Sequence, residues 1–549
     1  MKKIKILHSA ECSGALSGFG KYGRELSKRL AQNDRLELAE LAGACAIEEQ
    51  YKYAHVNGWK FYPAAVSSNH LQAAEFNANP NNNFGAWRFE RTCLDFKPDF
   101  VFSIRDPYND LPYLTASPYR KFYNLAWMPT VDSIPQRPQW NEYARDCDGI
   151  FSYSDWCADY LRSVNGLNYI GSTYPGVDLD VFRPGNKIEA KKLLGLPEDS
   201  YIIGFTSRNQ IRKLFPELFK AFRIYLDKYG HTEIGKKTYL YLHTSYPDFG
   251  WELTDLLNEF GVTNRVFFSY ICTGTRNIAA RKYSGIRSQS EWTGNITLQT
   301  PNTAFGFSEE QLAIAYNAMD LYVQYANCEG SGMGALEASA CGVTVAATNY
   351  SAMADVVEKT GGIPLEPAAM PRDFNLMADR ADPDNKAAAD AFYKFFNLDK
   401  KYKENKSKKA RQVAEKYFNW DRTAKIWSDY FENTPLTGLQ GKWDAPVQLP
   451  DFNMPTLQDC PPNLSNLQFM QWLSAFVAKD PSFITKFTGL DLLNKLNVEF
   501  WPGAHFTRQT MYDILSQMGK YKILCEQVRC GMMQIDKPDF IEFAEELAK

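Results

Sequence analysis

At 549 residues the chain is too long for one hydrophobic core, and two or three domains are expected. Hydrophobic residues at 45% and charged residues at 23% describe an ordinary globular protein. A formal charge of −3 gives no general attraction to nucleic acid or to an anionic membrane. No apolar run reaches the roughly 18 residues of a membrane-spanning helix. The 11 cysteines lack paired spacing and read as free thiols of a cytoplasmic protein.

The apolar run in "MKKIKILHSAECS" is too short for a secretory signal, so Lys3 to Leu7 reads as the first strand. "SGFGKYGRELSKRL" follows, with a G-x-G-x-x-G at Gly18, Gly20 and Gly23. Such glycines let a backbone turn tightly and approach a pyrophosphate at a helix N-terminus. Tyr22, Leu26 and Leu30 supply the helical period. Two features argue against a nicotinamide cofactor. The segment "HSAECSGALS" separates strand from glycines. The second strand, "RLELAELAGAC", ends in small neutral residues with Glu37 and Glu40 inside it, not in a ribose-binding acid. A phosphate-facing loop remains the reading.

Short apolar strands then alternate with helical stretches: "DFVFSI", "FYNLAWM", "GIFSYS" and "NYIGSTY". "NANPNNNFG", Asn77 to Gly85, reads as a loop. After "PGVDLDVFRPG" a second alternating set begins, with strands "YIIGFTS", "TYLYLHT", "RVFFSYI", "DLYVQYA" and "VTVAAT". Strand–helix alternation implies parallel sheets covered by helices. The expected organisation is an N-terminal Rossmann-like domain over 1–184 and a second over 185–415. A helix over 416–433 returns to the first domain, a linker covers 434–465, and a helical extension covers 466–549.

The most informative stretch is "NCEGSGMGALEASACGVTVAAT". A strand leads into a loop holding Gly330, Gly332 and Gly334, then a helix carrying Leu336 and Glu337, then another strand. Glycines allow successive N–H groups to face an anion, and the helix dipole adds about half a positive charge. Glu329 in the loop and Glu337 in the helix are good acceptors for sugar and ribose hydroxyls. The alternative is two surface acids beside a structural turn.

This stretch closely resembles the Glu-(seven residues)-Glu motif of retaining glycosyltransferase family 4 (glycosyl transferases group 1). It matches at Glu329, Gly330, Gly332, Leu336, Glu337, Ala338, Ala340, Cys341, Gly342 and Val345. It departs at Ser331, where Phe is usual, and at Thr344, where Pro is usual. "PGVDLDVFRP", "FTSRNQIRK", "SGFGKYG" and "EKYFNWDRTAKIWSDYF" are similar to other family segments, so the likeness spans about 430 residues. The resemblance implies an α/β protein of GT-B fold: two Rossmann-like domains facing a central cleft, here with a C-terminal helical extension. It implies a donor site of Gly18, Gly20, Arg208, Lys213, Glu329, Gly330, Ser331, Gly332, Met333, Gly334 and Glu337. In that scheme Glu329 contacts the donor sugar and Glu337 the nucleotide ribose. Arg208 and Lys213 stabilise the departing diphosphate, where charge builds in the transition state. Gly23 is left to helix packing.

The family typically needs no metal or other cofactor, and the six histidines show no ligand spacing. His243 either faces the nucleotide or is packed. Many relatives carry an N-domain histidine near the reacting sugar, whereas this chain reads "WMPTVDSIP" there. Asp132 and Asp106 are the acceptor-side candidates, as hydroxyl ligand or base, or simply as turn caps. The insertion holding Cys272, Thr275, Ser290, Thr293 and Gly294 has the spacing of zinc knuckles that lack most ligands, and reads as a metal-free hairpin. The implied reaction moves a sugar from a nucleoside diphosphate sugar, UDP or GDP foremost, to a hydroxyl of a saccharide, lipid or modified nucleobase, with retention of configuration. Three alternatives stand beside it: glycosylation of modified bases in phage DNA, a non-catalytic nucleotide-sugar-binding scaffold, and a nucleotide-sugar epimerase.

Overall fold

The computed structural model describes residues 2–15, 17–47, 58–68, 70, 73–282, 298–302, 305–439 and 443. They fall into two compact units. The first holds the described residues of Met1–Ala15, Phe19–Trp127 and Phe431–Lys549, and the second those of Leu16–Gly18 and Met128–Tyr430.

In the first unit β1 (Ile4–Glu11), β2 (Leu36–Ala46), β3 (Lys60–Ala65), β4 (Phe100–Ser103) and β5 (Asn124–Trp127) pair in the order β3-β2-β1-β4-β5. All are parallel, with Ile4 opposite Leu36 and Ile6 opposite Phe100. Parallel strands are covered on both faces and so read as nearly continuous apolar runs, as "FVFS" does. β1 continues four residues past the expected Leu7, which absorbs much of the lead-in before the glycines. The helix Gly18–Leu30 follows. A Cβ on Gly23 would stand 2.8 Å from His8 Cε1, so this glycine lets the helix settle on β1. His8 stacks on Phe102 at 4.2 Å, and burial pulls its pKa down to about 3. Glu40 is buried and accepts from Ser13 N at 2.7 Å, Ser13 Oγ at 2.8 Å and Trp59 Nε1 at 2.8 Å. It therefore anchors the lead-in to the glycine loop. Within "NANPNNNFG" the chain forms a single 3-10 turn, Pro80–Phe84, capped by Asn79 and closed by Gly85 at φ 113°.

In the second unit β6 (Gly149–Ser152) and β7 (Tyr169–Ser172) form a parallel pair. Pro184 lies beyond them, before the helix Lys187–Leu194. The main sheet contains β8 (Tyr201–Thr206), β9 (Thr238–His243), β10 (Val266–Cys272), β11 (Ile278–Lys282), β12 (Leu298–Gln299), β13 (Leu321–Gln324), β14 (Thr344–Thr348) and β15 (Ile363–Leu365). Its order is β11-β10-β9-β8-β13-β14-β15, with β12 beside β10. β8, β9, β10, β13, β14 and β15 run parallel, while β11 and β12 are antiparallel to β10. The helix Phe215–Tyr229 buries Phe215, Leu218, Phe219, Phe222 and Tyr225 against one face. Leu336, Ala338 and Tyr316 belong to the core on the other. Of the expected metal-free insertion, β10 and β11 form a hairpin in which Thr275 N donates to Cys272 Sγ at 3.4 Å. Ser290, Thr293 and Gly294 lie outside the described residues.

The helix Trp420–Asn433 is the last described helix or strand. Trp427 packs on Phe151 at 4.1 Å in the second unit. From Phe431 the chain belongs to the first unit again, where Phe431 meets Phe100 at 5.2 Å and Phe102 at 5.6 Å. The expected linker past residue 439, save Trp443, and the expected helical extension lie outside the described residues.

Candidate active site

Ligands of open α/β sheets bind beyond the carboxyl ends of the strands. In the second unit those ends are Thr206 of β8 and Gln324 of β13. The loop after β13 carries Glu329 to Gly332 and turns into the helix Met333–Ala340. Gly332 caps that helix in the left-handed region at φ 66°, a conformation side chains disfavour. At Gly334 a Cβ would come within 2.4 Å of Tyr322 Oη and 3.2 Å of Thr206 O, so only hydrogen lets the helix start this close to the strand ends. The first-turn N–H groups of a helix have no intrahelical acceptor and can receive an anion.

Glu329 is the centre of the arrangement and is 5% exposed. Its Oε2 accepts from Arg212 Nη1 at 2.8 Å, and its Oε1 from Lys213 Nζ and from Gln324 Nε2 at 2.8 Å. Its own N–H donates to Ser351 Oγ at 2.9 Å. Tyr322 Oη donates to Gln324 Oε1 at 2.5 Å, which orients the amide toward the carboxylate. Burial alone would raise the Glu329 pKa, but the Arg212 and Lys213 charges overcome it and hold the carboxyl at about 2. Burial also draws the Lys213 ammonium below the ordinary lysine range, with Glu329 opposing that fall. Lys213 ends the 3-10 turn Ile211–Lys213, and Leu214, left-handed at φ 41°, redirects the chain into the next helix.

Arg208 forms a two-pronged pair with Asp248, Nε to Oδ2 at 2.9 Å and Nη2 to Oδ1 at 3.0 Å, and its side chain is 46% exposed. Arg208 holds Asp248 at a pKa of about 2. Glu337 is buried in the helix and accepts from Tyr316 Oη at 2.8 Å. Gly330 faces Thr130, whose Cγ2 would be 2.6 Å from an added Cβ. Ser331 and Met333 are half-buried. Gly18 is exposed, and its missing Cβ would lie 3.7 Å from Met333 Sδ. Gly20 is packed against Ala15 O, 2.5 Å from where a Cβ would be.

Asp132 belongs to the second unit. Its Oδ2 accepts from Arg380 Nη1 and Cys328 Sγ, both at 3.2 Å, and its Oδ1 from Ser133 Oγ at 2.8 Å. Cys328 precedes Glu329, so Asp132 lies one residue from the central carboxylate. Asp106 is in the first unit, half-buried, and accepts from Tyr108 Oη at 3.0 Å. His243 is packed: Nδ1 meets Ser269 Oγ at 3.1 Å, Phe307 lies edge-on at 4.7 Å, and burial lowers its pKa to about 4.

Sequence reasoning passes over Arg212, Gln324, Ser351, Asp248 and Arg380. Arg212 stands in "RNQIRK", but a linear segment does not tell which of its cations meets Glu329. Gln324 carries a usable signal, an amide ending an apolar strand. Ser351, at φ 57°, and Arg380 are remote in sequence and give none.

Comparison with known proteins fixes the fold. A sucrose-phosphate synthase from Thermosynechococcus elongatus superposes with a TM-score of 0.57 at 17% identity, covering 78% of this chain and 98% of that one. HepE from Anabaena, in complex with UDP and glucose, gives 0.53 at 15%, covering 79% and 100%. The fold is GT-B. In this GT-B chain residues 294–377, which include Glu329 and Glu337, match the family Glycosyl transferases group 1. D-inositol 3-phosphate glycosyltransferase of Mycolicibacterium smegmatis is 29% identical over 196 residues, 36% of this chain and 33% of the relative. That of Mycobacteroides abscessus is 28% identical over 210 residues, 38% and 36%. The chain thus spans about a third of the length of these curated relatives. Among the described residues no helix is long and apolar enough to cross a membrane.

Proposed function

We propose that the protein is a cytoplasmic glycosyltransferase that moves a sugar from a nucleoside diphosphate sugar to an acceptor hydroxyl, with retention of configuration and without a metal. The observation that carries this reading is the buried Glu329 carboxylate, clamped by Arg212 and Lys213 where the helix Met333–Ala340 begins, inside the segment that matches group 1 glycosyltransferases. Breaking a glycosyl–phosphate bond builds charge on the departing diphosphate, and fixed cations with helix N–H groups lower that barrier. Arg212 and Lys213 supply two cations. Arg208 supplies a third once phosphate replaces Asp248, and its planar fork suits bidentate phosphate binding. Glu329 then serves as acceptor for the donor sugar's hydroxyls and Glu337 for the ribose. Retention follows the family resemblance, with the acceptor hydroxyl attacking from the face the diphosphate leaves and a phosphate oxygen taking the proton. Asp132, held by Arg380, Cys328 and Ser133 one residue from Glu329, serves as a ligand for an acceptor hydroxyl.

UDP is the favoured nucleotide, on the strength of the UDP-bound structural neighbour. A polyol or phosphorylated polyol is the favoured acceptor class, on the strength of the inositol phosphate relatives. The test is a thermal-shift and nucleotide-release screen over UDP-, GDP-, ADP- and dTDP-sugars, run with and without EDTA. A ligand at 100 times its Kd adds about 2.7 kcal/mol of stability, readily seen as a melting shift. The expected result is stabilisation and release by a UDP-sugar, unchanged by EDTA. Absence of stabilisation by every nucleotide would refute the proposal, and loss of activity in EDTA would refute its metal-free form.

A further inference from the structure

The second unit holds a cavity of about 530 Å³, within the range of small-molecule sites, well away from Glu329. Tyr201, Asp320 and Thr344 line it, and they stand at the amino-terminal ends of β8, β13 and β14. The donor-side residues follow the carboxyl ends of the same strands. Six residues of β8, at about 3.3 Å each, place the two ends roughly 17 Å apart.

One wall is the helix Lys400–Tyr417, which presents Lys400, Lys403, Glu404, Ser407 and Lys408 to the cavity. Their spacing of three and four residues is the stripe a helix normally buries in the core. Farther along, the same stripe does so, with Ala410, Val413 and Ala414 buried. Over the cavity it turns basic instead, above a floor that includes Val343, Phe395 and Phe396. Charged groups facing apolar residues across an open volume are what a site for an anion with a flat apolar body requires.

The charges in the lining do not cancel. Lys187 Nζ pairs with Asp320 at 2.9 Å, and Lys400 stands 3.9 Å from Glu404. Lys403 and Lys408 are left as the surplus of four lysines over two carboxylates. Lys403 Nζ donates one hydrogen bond, to Phe396 O at 3.1 Å, which holds its ammonium at the floor with two protons still to give. We infer that this cavity is a second ligand site, separate from the donor site, for a phosphorylated small molecule with a planar apolar body. Lys403 and Lys408 receive the phosphate, and Phe395, Phe396 and Val343 receive the body.

The probe is 1-naphthyl phosphate, titrated calorimetrically into the full chain with saturating UDP present to occupy the donor site. Binding is expected, weakened at least tenfold in Lys403→Gln/Lys408→Gln, weakened by added salt, and unchanged in Lys213→Ala. A filled variant, Ser407→Trp, with the melting temperature of the parent, is expected to abolish it. Equal affinity for neutral 1-naphthol would overturn the anion assignment. No binding by the parent, binding lost in Lys213→Ala, or binding retained in both cavity variants would overturn the site. The inference does not rest on the proposed reaction, so failure of either leaves the other standing.

Discussion

Replacing Glu329 by Gln removes one charge from a buried cluster while keeping its shape, so stability and transfer can be read separately. In the intact protein Arg212 and Lys213 hold this carboxyl at about 2, against an ordinary 4.5. That lowering corresponds to roughly 3 kcal/mol favouring the ionised form. Because the folded pKa is depressed, the contribution is fully present above pH 4.5 and is lost as pH falls toward 2. At pH 7 Glu329→Gln is therefore expected to cost roughly 3 kcal/mol, in line with about 3–5 kcal/mol for breaking a buried ion pair. For a unit of this size that is a melting shift of about 5–10 °C, followed by calorimetry. The loss arises mainly from Lys213, left buried without its counter-charge, so adding Lys213→Met is expected to restore at least half of the stability. Transfer is expected to be abolished in both variants. A Glu329→Gln protein that melts with the parent would refute the ion-pair argument, and one that transfers sugar at the parental rate would refute the role of Glu329 in the reaction.

Asp248→Asn is expected to tighten donor binding about two- to fivefold, since it removes a buried carboxylate that competes for the half-exposed Arg208; unchanged or weaker binding in a titration would show that Asp248 orients Arg208 instead. Gly334→Ala is expected to destabilise the second unit by about 1–3 kcal/mol, because its Cβ meets Tyr322 Oη, whereas Gly171→Ala, with nothing within 4 Å, stays within about 0.5 kcal/mol in thermal melts. His243 is expected to titrate near 4 by NMR. Its folded pKa lies below the unfolded 6.5, so stability falls as pH drops from 6.5 toward 4, by about 2 kcal/mol at pH 5, and His243→Phe removes that part of the slope.

Much of the site was legible in the chain because its chemistry is local. Glycines at 330, 332 and 334, an acid before the helix and an acid within it occupy one loop and one helix, so their spacing alone describes a glycine turn that brings two carboxylates to the start of a helix. Strand–helix alternation likewise dictates parallel sheets, since each apolar run needs helices on both faces. Gly18, Gly20 and Gly23 look alike in the sequence and differ in the fold: Gly18 is exposed, Gly20 is pressed on Ala15 O, and Gly23 on His8. The absent ribose acid also gains its reason in the fold, where Glu40 is spent on Ser13 and Trp59. Partner choice among charges belongs to tertiary structure alone. Arg208, Arg212 and Lys213 share one basic segment, yet Arg208 meets Asp248 forty residues on, while Arg212 and Lys213 meet Glu329 more than a hundred residues away. Ion pairs form where strand order brings chain ends together, and the sheet order β9-β8-β13 sets Asp248, the basic turn and Glu329 on adjacent strand ends.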